Sequence, residues 1–505
     1  MPKTPSSRLF DLIKSLTRSE KRYFKLAAKA DGESKYLQLF EAIEQQRVFD
    51  DAALRETVYG QQAIQSRKYS ELKSYLYDTL LKQLQYYDEG NSIDYVLKRQ
   101  LLSIRSLYRR QLFKDCTYQI RKSKQLALRY EHFIVLLELV AWEKQLAYAR
   151  ADIDYLDEHL QALLREEQQY LDELRHIREL EGLFYELYTL NRKNVRGDAA
   201  AAQRVQEIAQ HPLLQAVPRS SLRAQLWHWR SRAALYYQQR DLEAFHHSNC
   251  RLIEFMEAHP TLRQEETTHY IAALSNYIAG CSYQQDYTAM RAGLDKLKQV
   301  KPASKDDEIK IHAQYYAGYF SLCIRTGDFK LGNTIMQRHL AESRKLDQQL
   351  FERSTFYFQY FYITFGNECY EEALNYLNQW LSLPRSVEQQ DLQAVAKLLN
   401  LIVHYEMGNY MLLEYLLRST QRSLRRYHGL DSLGRLMLQT IRQAIQAPDR
   451  SGRRAVFNKG NKQFQTLQLT EREHALLRFF DFQAWLESKA HELPFGQVLA
   501  QRKKN

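Results

Sequence analysis

At 505 residues the chain is too long for one compact core, so it must form several domains or an extended repeat array. Hydrophobic residues make up 45%, enough for a folded protein, while 17 Gly and 9 Pro leave little material for loops and favour long helices. The formal net charge of +12 is mild for this length, and no apolar run approaches the ~20 residues that span a bilayer.

The stretch from Met1 to Arg8 leads into an amphipathic segment without a long apolar core, so no secretory signal is expected. The first predicted helix carries Leu9, Phe10, Leu12, Ile13 and Leu16 at helical spacing. Thr17 and Glu20 have capping-box spacing and open a second helix through Tyr23, Phe24 and Leu26, which ends near Asp31-Gly32. A third follows through Tyr36, Leu37, Leu39, Phe40 and Ile43. Asp50 or Asp51 then caps a short fourth helix that Gly60 closes. A long fifth helix uses Tyr69, Leu72, Leu76, Leu80 and Leu84 as one stripe, and Asp88 to Ser92 reads as a hinge. Residues 1–92 therefore form a small helical module.

From 93 to 446 the chain repeats itself. Short turn-like segments place an apolar or aromatic residue at Phe113, Tyr155, Ala199, Leu242, Tyr287, Phe329, Tyr370 and Tyr410, spaced 40 to 45 residues apart. That period, rich in helix formers, predicts about eight stacked helical hairpins, each burying its apolar stripe against its neighbours. Crowded aromatics such as Tyr315, Tyr316, Tyr319, Phe320 and Phe356 to Tyr362 are expected in that core, and the 35 tyrosines suit seams with one wet end. Residues 447–505 are expected to supply a basic linker, a covering helix through Leu476, Leu477, Phe480 and Trp485, and a disordered tail from Gln501. Thr470 and Glu473 again have capping-box spacing.

Charge is laid out in blocks. Asp94 to Arg129 is strongly basic, Asp152 to Glu186 acidic, and Arg418 to Lys462 basic again. The cysteines (Cys116, Cys250, Cys281, Cys323 and Cys369) are scattered without C-x-x-C spacing, the usage of reduced thiols in a cytoplasmic protein.

Chemistry-bearing motifs are missing. The chain has no G-x-x-x-x-G-K-S/T loop and no His-Glu-x-x-His. His246 and His247 diverge by ~100° on a helix and read as a surface pair, while His228, between Trp227 and Trp229, reads as packing. No catalytic residue, cofactor or metal is expected. Nucleic-acid binding is the rival function: a helix, the Tyr59-Gly60 turn and a second helix opening with Ser66, Arg67, Lys68 and Tyr69 could reach phosphates or base edges, with Arg67, Lys68 and Lys73 as candidate contacts. Arg109 and Arg110, in the basic zone, could track a phosphate backbone.

Aligned on their turns, the repeats resemble tetratricopeptide repeats across roughly 93–446. Gly327-Asp328-Phe329 with Gly332, Tyr370-Glu371-Glu372-Ala373-Leu374 with Leu377, and Gly408-Asn409-Tyr410 carry the likeness, with Ala233 and Tyr236 at the small and aromatic positions of a first helix. Departures include Phe245, Met290 and Leu413 in place of the second-helix alanine, and Trp380 or His339 at the later small position. Leu16 to Phe24 is also similar to bacterial helical-repeat proteins of unassigned function. The tetratricopeptide resemblance implies a right-handed α-solenoid whose first helices line a concave groove for partner peptides. Groove-facing positions would then include Arg230, Tyr237, Gln238, Gln314, Arg325, Tyr362, Tyr405 and Glu406. The function so implied is a non-enzymatic scaffold that binds protein or peptide.

Overall fold

The structure, a computed structural model, describes residues 6–29, 34–60, 66–89, 92–193, 199–218, 221–346, 351, 354–382, 389–424, 431–470, 473, 477 and 479–502. Among them the regular structure is helical and no strand occurs, as composition and periodicity predict. Two compact units divide the chain, Met1–His176 and Ile177–Asn505. The division falls inside one 41-residue helix, Ile153–Lys193, within the stretch that turn phasing treats as continuous.

The first unit opens with helices Arg8–Ser15, Arg18–Lys29, Lys35–Gln45, Asp51–Tyr59 and Ser66–Glu89. The capping box closes as its spacing requires: the Thr17 amide donates to Glu20 Oε2 at 2.6 Å and the Glu20 amide to Thr17 Oγ1 at 3.2 Å. Of the two candidate caps, Asp50 takes the role, its Oδ1 accepting from the Ala52 and Ala53 amides at 3.0 and 3.1 Å. Asp51 instead pairs with Lys73 at 2.8 Å. Leu9, Ile13, Phe40, Leu76 and Leu80 share one core. Asp31-Gly32 and Gly90-Asn91 lie outside the described residues.

Helices Ile93–Arg109, Phe113–Arg129 and Phe133–Ala149 then begin 20 residues apart and share three-residue turns, with Ile153–Lys193 starting on the same beat. The unit here is thus a single helix with equal turns at both ends, finer than the expected hairpin period. Lys124 sits half-buried between Glu143 and Glu166, each at 2.8 Å. Burial pulls the Lys124 ammonium down, but the two carboxylates outweigh it and hold its pKa above the ordinary value. Part of the basic zone is therefore neutralised by the acidic zone that follows it.

Seven of the eight aligned residues open a helix: Phe113, Ala199, Leu242, Tyr287, Phe329, Tyr370 and Tyr410. The exception is Tyr155. Helix Ile153–Lys193 starts two residues earlier and runs through the turn expected between two shorter helices, because only Gly182 interrupts its helix formers and no proline does.

The turns share one backbone geometry. Two residues before the helix start, Gln111, Glu131, Ala151, Arg240, Gln285, Gly327, Glu368 and Gly408 all have φ between 49° and 72°. The next amide donates to a carbonyl five residues back, as from Asp286 to Cys281 and from Asn409 to His404, both at 3.0 Å. Where that next residue is Asp241, Asp286 or Asp328, its Oδ1 also accepts an amide of the new helix at 2.9 to 3.1 Å. Asp241→Ala is expected to cost about 1 kcal/mol of stability in chemical denaturation.

From Leu222–Gln239 onward each described helix packs on the next in chain order, and Thr267–Tyr283, Lys305–Thr326 and Ser354–Gly366 pack on one another in succession. Gly332 permits close approach, since a Cβ there would stand 3.2 Å from both Cys323 and Ile363 side-chain atoms. At the departures from the small-residue pattern, Phe245, Met290, Leu413, Trp380 and His339 are all buried. Volume added at one position is taken up by neighbouring helices. The expected aromatic core is present, with Tyr316, Phe320, Phe356, Tyr360 and Phe361 buried.

The C-terminal segment differs from its expected form. The basic stretch after Pro448 is a helix, Arg450–Gln465, capped by Asp449 through the Gly452 amide at 2.7 Å. The Thr470–Glu473 capping box forms, with amide bonds of 2.9 and 3.2 Å. Leu476 lies outside the described residues. Phe480 precedes a helix, Phe482–His491, that Asp481 caps through the Ala484 amide at 2.7 Å and that contains Trp485. Of the expected tail, Gln501 and Arg502 close a last helix, Phe495–Arg502, and Arg502 pairs with Asp481 at 3.2 Å and with Glu487 at 2.5 Å. That helix packs back on Lys305–Thr326. One hydrophobic cluster joins Phe361, Leu399, Phe457, Phe480, Trp485 and Phe495.

Candidate functional site

The candidate site is a cleft of about 500 Å³ in the second unit, whose charged lining residues are both arginines. Helix Ile153–Lys193 contributes Phe184, Tyr188, Asn191 and Arg192, and Leu222–Gln239 contributes Arg230, Ala233, Ala234 and Tyr237. Their three- and four-residue spacings put each set on one helix face. Phe245, Asn249 and Leu252 come from Leu242–Ala258. Ala272, Ala273, Asn276, Ala279 and Tyr283 come from Thr267–Tyr283. The space exists because the helices face it with alanines, which fill little of it.

Arg230 is the electrostatic centre. Its guanidinium lies over the rings of Phe184 and Trp227, 4.1 and 4.9 Å from their centroids. It donates from Nη1 to His269 Nδ1. Burial pulls the Arg230 pKa down to about 10, which leaves it a cation at neutral pH. Burial, with Arg230 and Arg223 adding, pushes His269 down to about 3, so that ring is neutral. His269 Nε2 stands 3.3 Å from Glu266 Oε2, and Arg223 pairs with the other carboxylate oxygen. The neutral tautomer that donates from Nε2 to Glu266 and accepts at Nδ1 from Arg230 satisfies both contacts. Glu266 is held above its usual range by burial, although Arg223 pulls it back. The only carboxylate of this relay is thus engaged by Arg223 and His269.

Two of the eight groove positions expected from the resemblance, Arg230 and Tyr237, meet in this cleft, the Tyr237 ring 5.4 Å from that of Phe245. Gln238 is half-buried outside its lining, and Gln314 and Arg325 are exposed on Lys305–Thr326. Tyr362 is buried, while Tyr405 and Glu406, though little exposed, line a second cleft of about 430 Å³ with Arg450, Arg453 and Lys489. The Tyr362 hydroxyl accepts from the Asp481 amide at 3.3 Å, and Tyr405 packs on Phe457 and Trp485. Glu406 accepts from Trp485 Nε1 at 2.6 Å and Lys489 Nζ at 2.7 Å. Residues of the chain's own C-terminal helices and of the segment before them thus pack on all three. Sequence reasoning missed Phe184, Tyr188, Asn191, Arg192, Asn276 and His269. The paired alanines 233–234 and 272–273, which line the same cleft, were the available signal.

The nucleic-acid candidates are distributed differently. Arg67 pairs with Glu71 at 2.9 Å and Lys73 with Asp51 at 2.8 Å. Lys68, Arg109 and Arg110 are exposed, Arg110 donating to the Ser106 carbonyl at 2.9 Å.

Other reactive side chains are packed. His228 is buried with Nδ1 2.8 Å from the Leu213 carbonyl, the packing role expected for it. His246 departs from the expected surface pair: it is half-buried, stacks on Tyr277 and fills the space left by Gly280, while His247 is exposed. Burial pushes the Cys281 thiol up to about 11 and Cys323 up to about 12, which suppresses thiolate chemistry at neutral pH. Among the described residues no group of three His, Cys, Asp or Glu side chains could hold a metal ion. No helix among them is long and apolar enough to cross a membrane.

Fold and site together define an all-helical protein with an arginine-centred cleft between helices. Compared with known proteins, the chain matches no family model and no curated protein at a significant level.

Proposed function

We propose that the chain is a non-enzymatic scaffold that binds a protein or peptide, built as a tetratricopeptide-like α-solenoid of about eight helical hairpins. The observation that carries this reading is the cleft around Arg230 and Tyr237, lined by alanines of two helices, Leu222–Gln239 and Thr267–Tyr283, that both pack on Leu242–Ala258. The recurrent turn supports the repeat architecture, because one backbone geometry joins helix after helix. The rival nucleic-acid reading is weaker, since Lys73 is held by the partly buried Asp51 carboxylate and the exposed Arg67 stands beside Glu71.

Ala234→Phe, which fills the cleft floor, tests the reading. Partners copurified with the full chain from its native cell should be lost from the variant at unchanged helicity by circular dichroism. Retention of every partner would overturn a binding role for the cleft. Fluorescence anisotropy with random duplex DNA at two salt concentrations checks the rival, and tight binding that falls steeply with salt would favour it.

A further inference from the structure

We infer that the cleft receives an acidic side chain, an Asp or Glu of an extended partner segment flanked by an apolar residue. The inference rests on the peptide-binding reading above and names the chemistry of that same site.

Charge complementarity is the first argument. The lining includes two arginines, Arg192 and Arg230, and no carboxylate. Among the described contacts Arg230 meets two ring faces and a neutral imidazole, and the nearby Glu266 is already taken by Arg223 and His269. A half-buried cation that feels Glu266 only at longer range, with no carboxylate hydrogen-bonded to it, gains from an anion that enters its cavity.

Shape decides which anion. The Arg230 guanidinium lies back against the Phe184 and Trp227 rings, which favours a ligand group carried on a stem over a main chain. A carboxylate on a one- or two-methylene stem can. Its stem would cross the alanine floor, where apolar contact is favourable. Tyr188, Tyr237 and Tyr283 leave 46%, 45% and 40% of their surface in solvent around the same cleft. Such rigid amphipathic rings suit a flanking apolar side chain. A phosphate would want more donors than are present: Arg230 already spends Nη1 on His269, and Arg192 lies over the Tyr188 ring at 5.3 Å.

The test is a selection of random displayed dodecapeptides on the immobilised full chain. Selected peptides, made with amidated C-termini, are then titrated by fluorescence anisotropy. The expected result is enrichment of Asp or Glu beside an apolar residue. Changing that acid to its amide, or Arg230→Gln in the protein, should each weaken binding roughly ten- to hundredfold, with little further loss when combined. Arg192→Gln, at an exposed position, should weaken it less and keeps the test informative should Arg230→Gln fail to fold. Peptides that bind without an acid, or two changes whose effects simply multiply, would overturn the inference and leave peptide binding standing. Tighter binding of a phosphoserine version than of the Glu version would also overturn it. A library yielding nothing above an unrelated immobilised protein would end the peptide-binding reading and this inference with it.

Discussion

Trp485→Ala should lower the unfolding free energy of the 177–505 unit by about 3–5 kcal/mol. The indole is fully buried and stands edge-on to Tyr405 and Phe457, with centroids 5.9 and 5.4 Å away. Alanine would leave a cavity among rings that cannot collapse without moving three helices. It would also remove the 2.6 Å donor to Glu406, whose side chain is only 8% exposed. Lys489 would still hold the other carboxylate oxygen at 2.7 Å, so the charge itself is not orphaned. Trp485→Phe separates the two contributions: it keeps most of the ring volume and loses the donor, for about 1–3 kcal/mol. Urea titration followed by far-UV circular dichroism measures both. A loss under 1 kcal/mol for the alanine variant would mean that the C-terminal helices are peripheral to the core.

Acid should destabilise the same unit steeply. His339 is fully buried among Phe351, Phe356 and Tyr316, with Nδ1 3.0 Å from His312 Nε2. Burial, reinforced by His312, pushes His339 down to about 3. His269 is likewise at about 3. In each case the unfolded chain binds the proton near pH 6.5 and the folded chain does not. Stability is therefore whole above pH 6.5 and falls by about 1.4 kcal/mol per histidine per pH unit below it, down to about pH 3. Between pH 7 and 5 the two together cost about 4 kcal/mol. Burial lowers His312, His228, His246 and His404 in the same direction. Glu266, held above its usual range, takes up a proton during the same descent and offsets part of the His269 loss. His339→Gln should flatten the slope of unfolding free energy against pH by roughly one histidine's share. An unchanged slope would place the acid sensitivity elsewhere.

Much of the local structure was legible in advance because it depends on neighbours in sequence. Both capping boxes form between residues three apart, and Asp50 caps a helix beside it. The turn phasing found helix starts because the cap and the left-handed residue before it are local features. It found them faintly, since only Gly327 and Gly408 among the eight turns carry the glycine that this conformation favours. The other turns hold ordinary residues at a cost of about 1–2 kcal/mol each, offset by the helix-ending hydrogen bonds, so their text varies while their geometry does not. The finer 20-residue beat from Ile93 to Ile153 was hidden for the same reason, with Glu131 at a turn that carries no textual mark.

By itself the sequence determined an all-helical chain, where most helices begin, and which residues belong to the apolar stripes, because propensity, capping and periodicity act within a few turns. Tertiary structure alone decided that helix 153–193 runs unbroken and that Tyr362, Tyr405 and Glu406 pack against residues some 80 to 120 positions away. It also decided that Arg230 rests on two rings, with His269 between it and Glu266. Contacts between distant segments depend on which faces meet, and no spacing rule along the chain encodes that choice.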